Sequence, residues 1–129
     1  MPYNPLRRGF LTGQIKTEGD FDPTDYRRFS PRFQGVNFIK NLELVKKIEA
    51  LAVEKNCTAS QLALTWVMAQ GHFLFPIPGT KLITYLEENA GAVNIHFSKE
   101  ELKGIDAIFP LDAASGLRYP EQMMGNLNG

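Results

Sequence analysis

The first 37 residues lack any sustained hydrophobic period, and this constrains the fold more than any other feature of the sequence. Glycine or proline interrupts the segment every few residues, at Gly9, Gly13, Gly19, Pro23, Pro31 and Gly35. A loop of this length within a compact domain is usually functional or disordered. The sequence therefore predicts at most one short strand over the first few residues and a long loop over residues 10–37.

From residue 38 onward the pattern becomes helical. Apolar residues recur every three or four positions, at Phe38, Leu42, Val45, Ile48 and Ala52, and predict an amphipathic helix over residues 38–55. Thr58 and Gln61 form a capping box that predicts a second helix over residues 59–70. That second helix is apolar nearly all round, so we expect it to be more buried than the first.

One strand and two further helices follow. Residues 73–78 form a short apolar run with two prolines, which predicts a brief strand leading into the loop Gly79-Thr80-Lys81. A third helix is predicted over residues 82–90. Ser98 and Glu101 form a second capping box for a fourth helix, which ends at Pro110. Residues 110–129 show no clear period and are predicted to form an extended tail.

This order of elements predicts an α/β fold that is mostly helical, with all 129 residues in a single domain. Two short parallel strands cannot make a complete sheet, and their edges must pair with something else. The chain therefore looks like part of a larger α/β fold.

Charge and composition exclude several classes of function. Fourteen basic residues balance fourteen acidic ones, so the formal net charge is zero and binding to nucleic acid or to an anionic membrane is disfavoured. No apolar run approaches the roughly 20 residues that cross a bilayer. The single cysteine, Cys57, allows no intramolecular disulfide, and the first residues lack the pattern of a signal peptide, so we expect a cytoplasmic protein.

Two segments have the chemistry of an anion site. Gly79 permits close approach of a backbone, Thr80 offers a hydroxyl that could cap the next helix, and Lys81 adds a positive charge beside that helix N-terminus. Arg7 and Arg8 follow the first predicted strand and could pair with a pyrophosphate. In both places the alternative is plain turn chemistry with solvated side chains.

Other reactive residue types carry weaker signals. His72 and His96 have no partner at metal-ligand spacing, so we interpret them as structural and expect no metal site. Cys57 has no nearby histidine that would activate it, and an inert thiol is expected. The acidic pair Glu87-Glu88 and the run 99–101 are typical of a helix surface and receive no catalytic role.

Taken together, several ordered motifs resemble the aldo-keto reductases, in the bacterial and plant branch that also resembles potassium-channel β subunits. They are YNPLRRGFLTG at 3–13, PRF at 31–33, QLAL with Trp66-Val67 at 61–67, PIPGTK at 76–81, YLEENAGA at 85–92 and RYP at 118–120. The resemblance covers essentially the whole chain, but only the C-terminal part of those enzymes, which are (β/α)8 TIM barrels of about 250 residues or more.

The resemblance implies a partial barrel made of the last two β/α units, the C-terminal helices and the tail. The seventh barrel strand would lie at Tyr3 to Leu6 and the eighth at Leu74 to Ile77, with residues 10–37 as the loop after the seventh strand. The family reduces aldehydes and ketones with NADPH through an Asp, Tyr, Lys and His tetrad. No residue here matches that tetrad, so the resemblance implies no catalytic residue and no turnover by this chain alone.

Cofactor-binding residues are implied at matching positions only. Pro5, Leu6 and Arg8 match the segment beside the pyrophosphate, Gly79, Thr80 and Lys81 the segment at the 2′-phosphate, and Glu88 and Asn89 the adenine-contacting pair. The chain departs from the family where Asn4 replaces the usual Ser, Arg7 the usual Gly and Leu82 a frequent basic residue. The last departure removes one partner for the 2′-phosphate and leaves the preference for NADP over NAD open.

The open side of a partial barrel implies self-association or pairing with the missing N-terminal half of the barrel. In the family the C-terminal segment shapes the substrate pocket, a role that would fall to Arg118 to Met124, although Met123 and Met124 equally suit simple packing. Two alternatives to a reductase part stay open at this stage. One is a non-enzymatic NADP-binding or interaction module, and the other is a truncated remnant.

Overall fold

The computed structural model describes residues 5–110 and 112–126 and, within them, all side chains except those of residues 7 and 126. Four α-helices form the framework: α1 at Gly35–Glu54, α2 at Ala59–Ala69, α3 at Ile83–Gly91 and α4 at Lys99–Ile108. Short 3₁₀ helices lie at Arg7–Thr12, Glu18–Asp20, Tyr26–Phe29, Pro31–Phe33, Ala92–Asn94 and Glu121–Asn126. None of the helices described is long and apolar enough to cross a bilayer.

Both predicted capping boxes are confirmed, and they set the starts of α2 and α4. The Thr58 hydroxyl accepts the Gln61 backbone N–H at 3.2 Å, and the Gln61 side chain accepts the Thr58 N–H at 3.1 Å. Ser98 and Glu101 exchange the equivalent bonds at 3.1 and 2.7 Å. These bonds satisfy amides that have no partner within the helix, which is why local sequence locates both helix starts.

The other two helix boundaries differ slightly from the predicted ones. Helix α1 begins at Gly35, three residues earlier than the hydrophobic period indicates, and ends at Glu54. Helix α3 begins at Ile83 rather than 82, and Thr80 does not cap it. Instead the Thr80 hydroxyl accepts the Leu82 backbone N–H at 3.2 Å, one residue before the helix.

The predicted loop over residues 10–37 supplies four buried hydrophobic residues, Phe10, Ile15, Phe21 and Phe33. Four phenylalanine rings, Phe10, Phe21, Phe33 and Phe38, pack edge to face with centroids 5.2 to 6.2 Å apart. Ile15 and Val45 complete this buried cluster. The segment has no regular period because short 3₁₀ turns, rather than one long element, bring its aromatic residues inward. The predicted loop thus has no long helix or strand before Gly35, but its aromatic side chains are buried.

A second buried cluster joins α1, α2 and α4. It contains Ile48, Ala52, Ala59, Leu62 and Ile105, with Trp66 and Phe109 packed against it. Helix α2 contributes six buried residues along 11 positions, whereas α1 contributes five along 20. The expectation that α2 is the more buried helix is confirmed.

Neither predicted strand is found within the residues that the structure describes. Tyr3 and Asn4 lie outside those residues, and Pro5 and Leu6 form a turn. Residues 74–80 have no regular structure, and Phe73, Phe75 and Ile77 are exposed. A strand exists only through its hydrogen bonds to a neighbour, and Pro76 and Pro78 have no N–H to donate. The described part of the chain is thus helical, and the strands of the α/β prediction are not formed.

Candidate functional site

A cavity of about 690 Å³ lies between α1, α2 and α4. Its apolar wall is formed by Val45 and Ile48 of α1, Leu62 and Trp66 of α2, and Phe109 beyond α4. Most of these residues also belong to the two core clusters, so the cavity is an opening into the core itself. A volume of this size is typical of small-molecule sites, which range over about 300–1,000 Å³.

Arg8, a predicted cofactor residue, lies at one end of this cavity. Its guanidinium stacks on the rings of Tyr26 and Tyr119, at 5.4 and 4.9 Å from their centroids. Its backbone has a left-handed φ of 58°, which a non-glycine residue adopts only under strain. The Arg27 side chain donates to the Arg8 carbonyl at 2.8 Å, and this bond helps to hold that conformation.

Asp25 in turn orients Arg27. Its carboxylate accepts from the Arg27 side chain in a salt bridge of 2.5 Å and also accepts the Arg27 backbone N–H at 2.9 Å. The side-chain hydrogen bond from Arg27 is the main cause that lowers the pKa of Asp25 below its usual range, against a partial opposing effect of burial. Asp25 therefore stays ionised at neutral pH and positions Arg27, which fixes the backbone at Arg8.

The tail is fastened to α1 beside the same end of the cavity. Asn41 donates to the carbonyls of Ser115 at 2.8 Å and Arg32 at 3.0 Å, and accepts the Ser115 N–H at 2.7 Å. Arg32 donates to the Gly116 carbonyl at 3.1 Å. Gly116 has a φ of +88°, and a Cβ there would lie 2.8 Å from the Asn37 amide. The tail consequently brings Arg118 and Tyr119 to Arg8.

The remaining predicted cofactor residues lie around the start of α3. Gly79, Thr80 and Lys81 are exposed, and open space surrounds Gly79. Among the described side chains none caps the N-terminus of α3. Its first amides therefore present positive potential next to Lys81. The anion site that the sequence predicts at this helix start stays a prediction.

Glu88 and Asn89 lie half-buried later in α3. The Glu88 carboxylate accepts from the Thr58 hydroxyl at 2.8 Å, and its carbonyl accepts from the Gln61 side chain at 2.8 Å. Glu88 thus ties α3 to the N-terminus of α2. The predicted contact between Glu88 and an adenine would have to share this carboxylate with Thr58.

The structure separates the predicted cofactor residues into two groups. Pro5 and Arg8 line the cavity, with Leu6 next to them in sequence, whereas none of the predicted residues from Gly79 to Asn89 is among the described residues that line it. The cavity contacts the face of α2 that carries Leu62 and Trp66, while Glu88 of α3 and Ala92, the residue after α3, bond Gln61 and Thr65. Since side chains four apart share a helix face, these are different sides of α2.

Other reactive side chains show no sign of activation. Burial is the main cause that raises the pKa of the Cys57 thiol, so it stays protonated at neutral pH, as expected of an inert cysteine. His72 and His96 are exposed rather than built into the core. In the part of the chain that is described, no three His, Cys, Asp or Glu side chains gather as metal ligands would.

Sequence reasoning missed three residues of the cavity: Ser30, Arg32 and Asn41. Ser30 is 1% exposed and lines the cavity. Asn41 is buried on the apolar face of α1, and an amide at such a position in the periodic pattern was the available signal. Arg32 lies in the PRF motif, but no spacing rule places it near the tail 84 residues away.

Comparisons with known proteins match this chain to one family. The model of the aldo/keto reductase family matches residues 1–109. An aldo-keto reductase of Schizosaccharomyces pombe, yakc, whose name includes NADP(+), is 50% identical over 118 residues, covering 92% of this chain and 35% of the relative.

Two further relatives are also named aldo-keto reductases. Aldo-keto reductase str7 of Strobilurus tenacellus is 46% identical over 103 residues, covering 80% of this chain and 31% of its own. A probable aldo-keto reductase 1 of Glycine max is 40% identical over 120 residues, covering 92% and 34%. The chain spans about a third of the length of these curated relatives. By the extent of the family match, the chain belongs to the aldo/keto reductase family.

Proposed function

We propose that this chain provides the NADPH-binding part of a carbonyl reductase that converts aldehydes or ketones to alcohols. The observation that carries the proposal is the start of α3, where the exposed loop Gly79-Thr80-Lys81 meets a helix N-terminus that no described side chain caps. The name of the S. pombe relative, which includes NADP(+), supports the same cofactor.

The residues at this site fit a phosphate group. The first amides of an α-helix have no partner within the helix and favour an anion, and Lys81 adds a full positive charge. Gly79 leaves room for a phosphate to approach the backbone because nothing lies within 4 Å of where its Cβ would be. Here the 2′-phosphate would bind, while Arg8, at the cavity end, would meet the pyrophosphate.

NADPH, when bound, supplies the hydride for carbonyl reduction. The part of this chain's own residues is to bind and orient the cofactor, because none of them matches the catalytic tetrad of the family. Reduction then depends on residues outside these 129. In this proposal the chain alone is inactive, and it completes a (β/α)8 barrel with the N-terminal part of a reductase or associates with itself.

The exposed apolar residues support this pairing. Phe73 is 89% exposed, and Phe75, Ile77, Ile83 and Leu86 are also largely open to solvent. Large contiguous apolar patches mark sites of association. Pairing of residues 74–77 as a barrel strand would cover part of this surface, and it would draw the two groups of cofactor residues into one site.

Direct titration tests cofactor binding. The purified chain is titrated with NADPH and NADH while the fluorescence of Trp66 and of the cofactor is followed. We expect saturable binding of NADPH that Lys81→Ala weakens about tenfold, as for loss of one charged hydrogen bond. Lys40→Ala, which removes an exposed lysine of α1, is the matched control. Binding that ignores Lys81 would contradict the proposed site.

A chimera tests the reductase itself. The 118 matched residues replace the corresponding region of the S. pombe relative, to which they are 50% identical. We expect NADPH-dependent carbonyl reduction, with Lys81→Ala raising KM for NADPH more than KM for NADH. A folded chimera that binds no NADPH would refute the proposal. Placement in the branch that resembles potassium-channel β subunits and a cytoplasmic location remain parts of this proposal.

A further inference from the structure

We propose that Thr58 and Gln61, the capping box of α2, are positioning residues that hold the start of α3 in place for the cofactor phosphate. This inference rests on the proposed function, because it concerns the same phosphate site at residues 79–81. The two residues act through α3 rather than by touching the phosphate. Three observations carry it: the weak attachment of α3 by its own residues, the double use of the capping box, and a second anchor at the end of α3.

Helix α3 has few means of its own to stay in place. It is nine residues long, none of its residues is buried, and no described side chain caps its start. A helix this short is marginal in water unless other parts of the protein hold it. Its position therefore depends on bonds to its neighbours, and α2 supplies them.

The capping box of α2 is used twice. The Thr58 hydroxyl accepts the Gln61 backbone N–H at 3.2 Å and donates its own hydrogen to the Glu88 carboxylate at 2.8 Å. The Gln61 side chain accepts the Thr58 N–H at 3.1 Å through Oε1 and donates to the Glu88 carbonyl at 2.8 Å through Nε2. The two side chains that start α2 are thus the same two that hold α3 at Glu88.

A second anchor lies at the end of α3. The Thr65 hydroxyl donates to the carbonyl of Ala92, the residue after α3, at 3.0 Å. A Cβ at Gly91 would lie 2.8 Å from the side-chain nitrogen of Gln61, so the two helices approach closely here. Glu88 and Ala92 are four residues apart and share one face of the helix. Two anchors one turn apart fix the direction of α3, whereas the end anchor alone would leave it free to pivot.

The phosphate site lies at the far end from these anchors. Ile83, the first residue of α3, precedes Glu88 by five residues, or about 7.5 Å along the helix axis. A pivot about the Ala92 end would displace the start of α3 and Lys81 more than any other part of the helix. A ligand binds more weakly in proportion as the competent placement is less populated. Loss of the Glu88 anchor should therefore weaken NADPH binding although every phosphate contact remains available.

Thr58→Asp separates the two uses of the Thr58 side chain. An aspartate still accepts the Gln61 N–H and caps α2. Once ionised it has no hydrogen to donate to Glu88, and its charge repels that carboxylate. We expect the full chain carrying Thr58→Asp to remain folded and to bind NADPH about tenfold more weakly in the fluorescence titration. Thr58→Ser keeps the donor, so its affinity should stay within about twofold of the wild type.

Asn56→Asp is the matched control for charge. It adds the same negative charge two residues earlier, at an exposed position. Its NADPH affinity should stay within about twofold of the wild type, since the bonds from Thr58 to Glu88 are untouched. Equal weakening by Asn56→Asp and Thr58→Asp would overturn the inference, because it would reveal a general effect of charge on an anionic ligand.

A double variant tests whether Thr58 acts through the position of α3. Lys81→Ala should cost less affinity in the Thr58→Asp chain than in the wild type, because a displaced Lys81 no longer stands at the phosphate. Losses that multiply independently, or an unchanged affinity of Thr58→Asp, would refute the inference while binding to the wild type stays sensitive to Lys81. A wild-type chain that binds no NADPH, or that binds it without regard to Lys81, would instead refute the proposed function and this inference with it.

Discussion

Helices α2 and α3 are neighbours of similar length, yet they are held in place in different ways. Helix α2 has a capping box and six buried residues, whereas no described side chain caps α3 and none of its residues is buried. What fixes α3 is a tether, in which Glu88 bonds Thr58 and Gln61 of the α2 start. The apolar residues of a helix are buried only where another part of the structure covers them.

The segments that precede α1 and α3 also differ in whether their apolar side chains are buried. Residues 10–33 have no regular hydrophobic period, but their phenylalanine side chains pack against one another and against α1. Residues 73–77 belong to a short apolar run that predicts a strand, but Phe73, Phe75 and Ile77 remain exposed. The first region buries its aromatic side chains within the described chain, and the second leaves its apolar side chains exposed.

The sharpest way to break this comparison is one substitution made in both regions. Phe21, 3% exposed, packs against Phe33 and Phe38, and Phe73 is 89% exposed. We expect Phe21→Ala to lower the free energy of unfolding by about 3 kcal/mol, because a buried ring is lost and a cavity is left. Phe73→Ala should change it by less than about 0.5 kcal/mol.

Urea denaturation monitored by circular dichroism measures both variants. The losses of unfolding free energy in the two variants should differ widely, while the dependence of that free energy on urea concentration stays unchanged. Similar losses would mean that Phe73 is packed in solution, which would place residues 73–77 in the same cooperative unit as the aromatic cluster.

A smaller effect is expected from the two threonines that precede α2 and α3. Thr58→Ala removes a hydroxyl that caps α2 and also bonds Glu88, so we expect a loss of about 1–2 kcal/mol. Thr80→Ala removes only a local bond to Leu82 and should cost less than about 0.5 kcal/mol. Thermal unfolding of both variants separates the cases, and an equal cost would show that Thr80 caps α3 in solution.

The smallest predicted effect depends on pH. Because hydrogen bonding from Arg27 lowers the folded-state pKa of Asp25, its stabilisation is present above the ordinary pKa of 3.8 and is lost as pH falls through the folded value. Asp25→Asn keeps the bond to the Arg27 backbone N–H but removes the charge. We expect a loss of up to about 1 kcal/mol at pH 7 that vanishes at low pH.

Stability curves of the wild type and of Asp25→Asn from pH 2.5 to 7 measure this directly, with the values of pH chosen to span the carboxylate range. The curves should converge as the medium becomes acidic. A difference that stays constant over this range would show that the Asp25 charge contributes nothing through Arg27.

How well the sequence predicts this structure depends on how local each signal is. Thr58 with Gln61 and Ser98 with Glu101 act over three residues, and both helix starts follow from them. The pairing of Arg32 with Gly116 and of Asn41 with Ser115 joins positions more than seventy residues apart, which no periodicity reports. A strand forms only when it pairs with a neighbour, so the apolar run at residues 73–78 predicts a strand that the described chain does not form.

The candidate site shows the same division. The grouping of Gly79, Thr80 and Lys81 before the start of α3 can be predicted because these residues form one continuous run. The presence of Arg8, Arg32 and Arg118 around one cavity cannot be predicted, because these residues come from three segments that are distant in the sequence.

Native-state hydrogen exchange tests the central contrast most directly, since it reports how each backbone amide is protected. We predict that the amides of residues 62–69 exchange only through large-scale unfolding, whereas those of residues 73, 75, 77 and 79–81 exchange at close to the rate of an unstructured peptide. Protection of residues 73–77 equal to that of α2 would contradict the account, because it would show that this segment is already paired in the isolated chain.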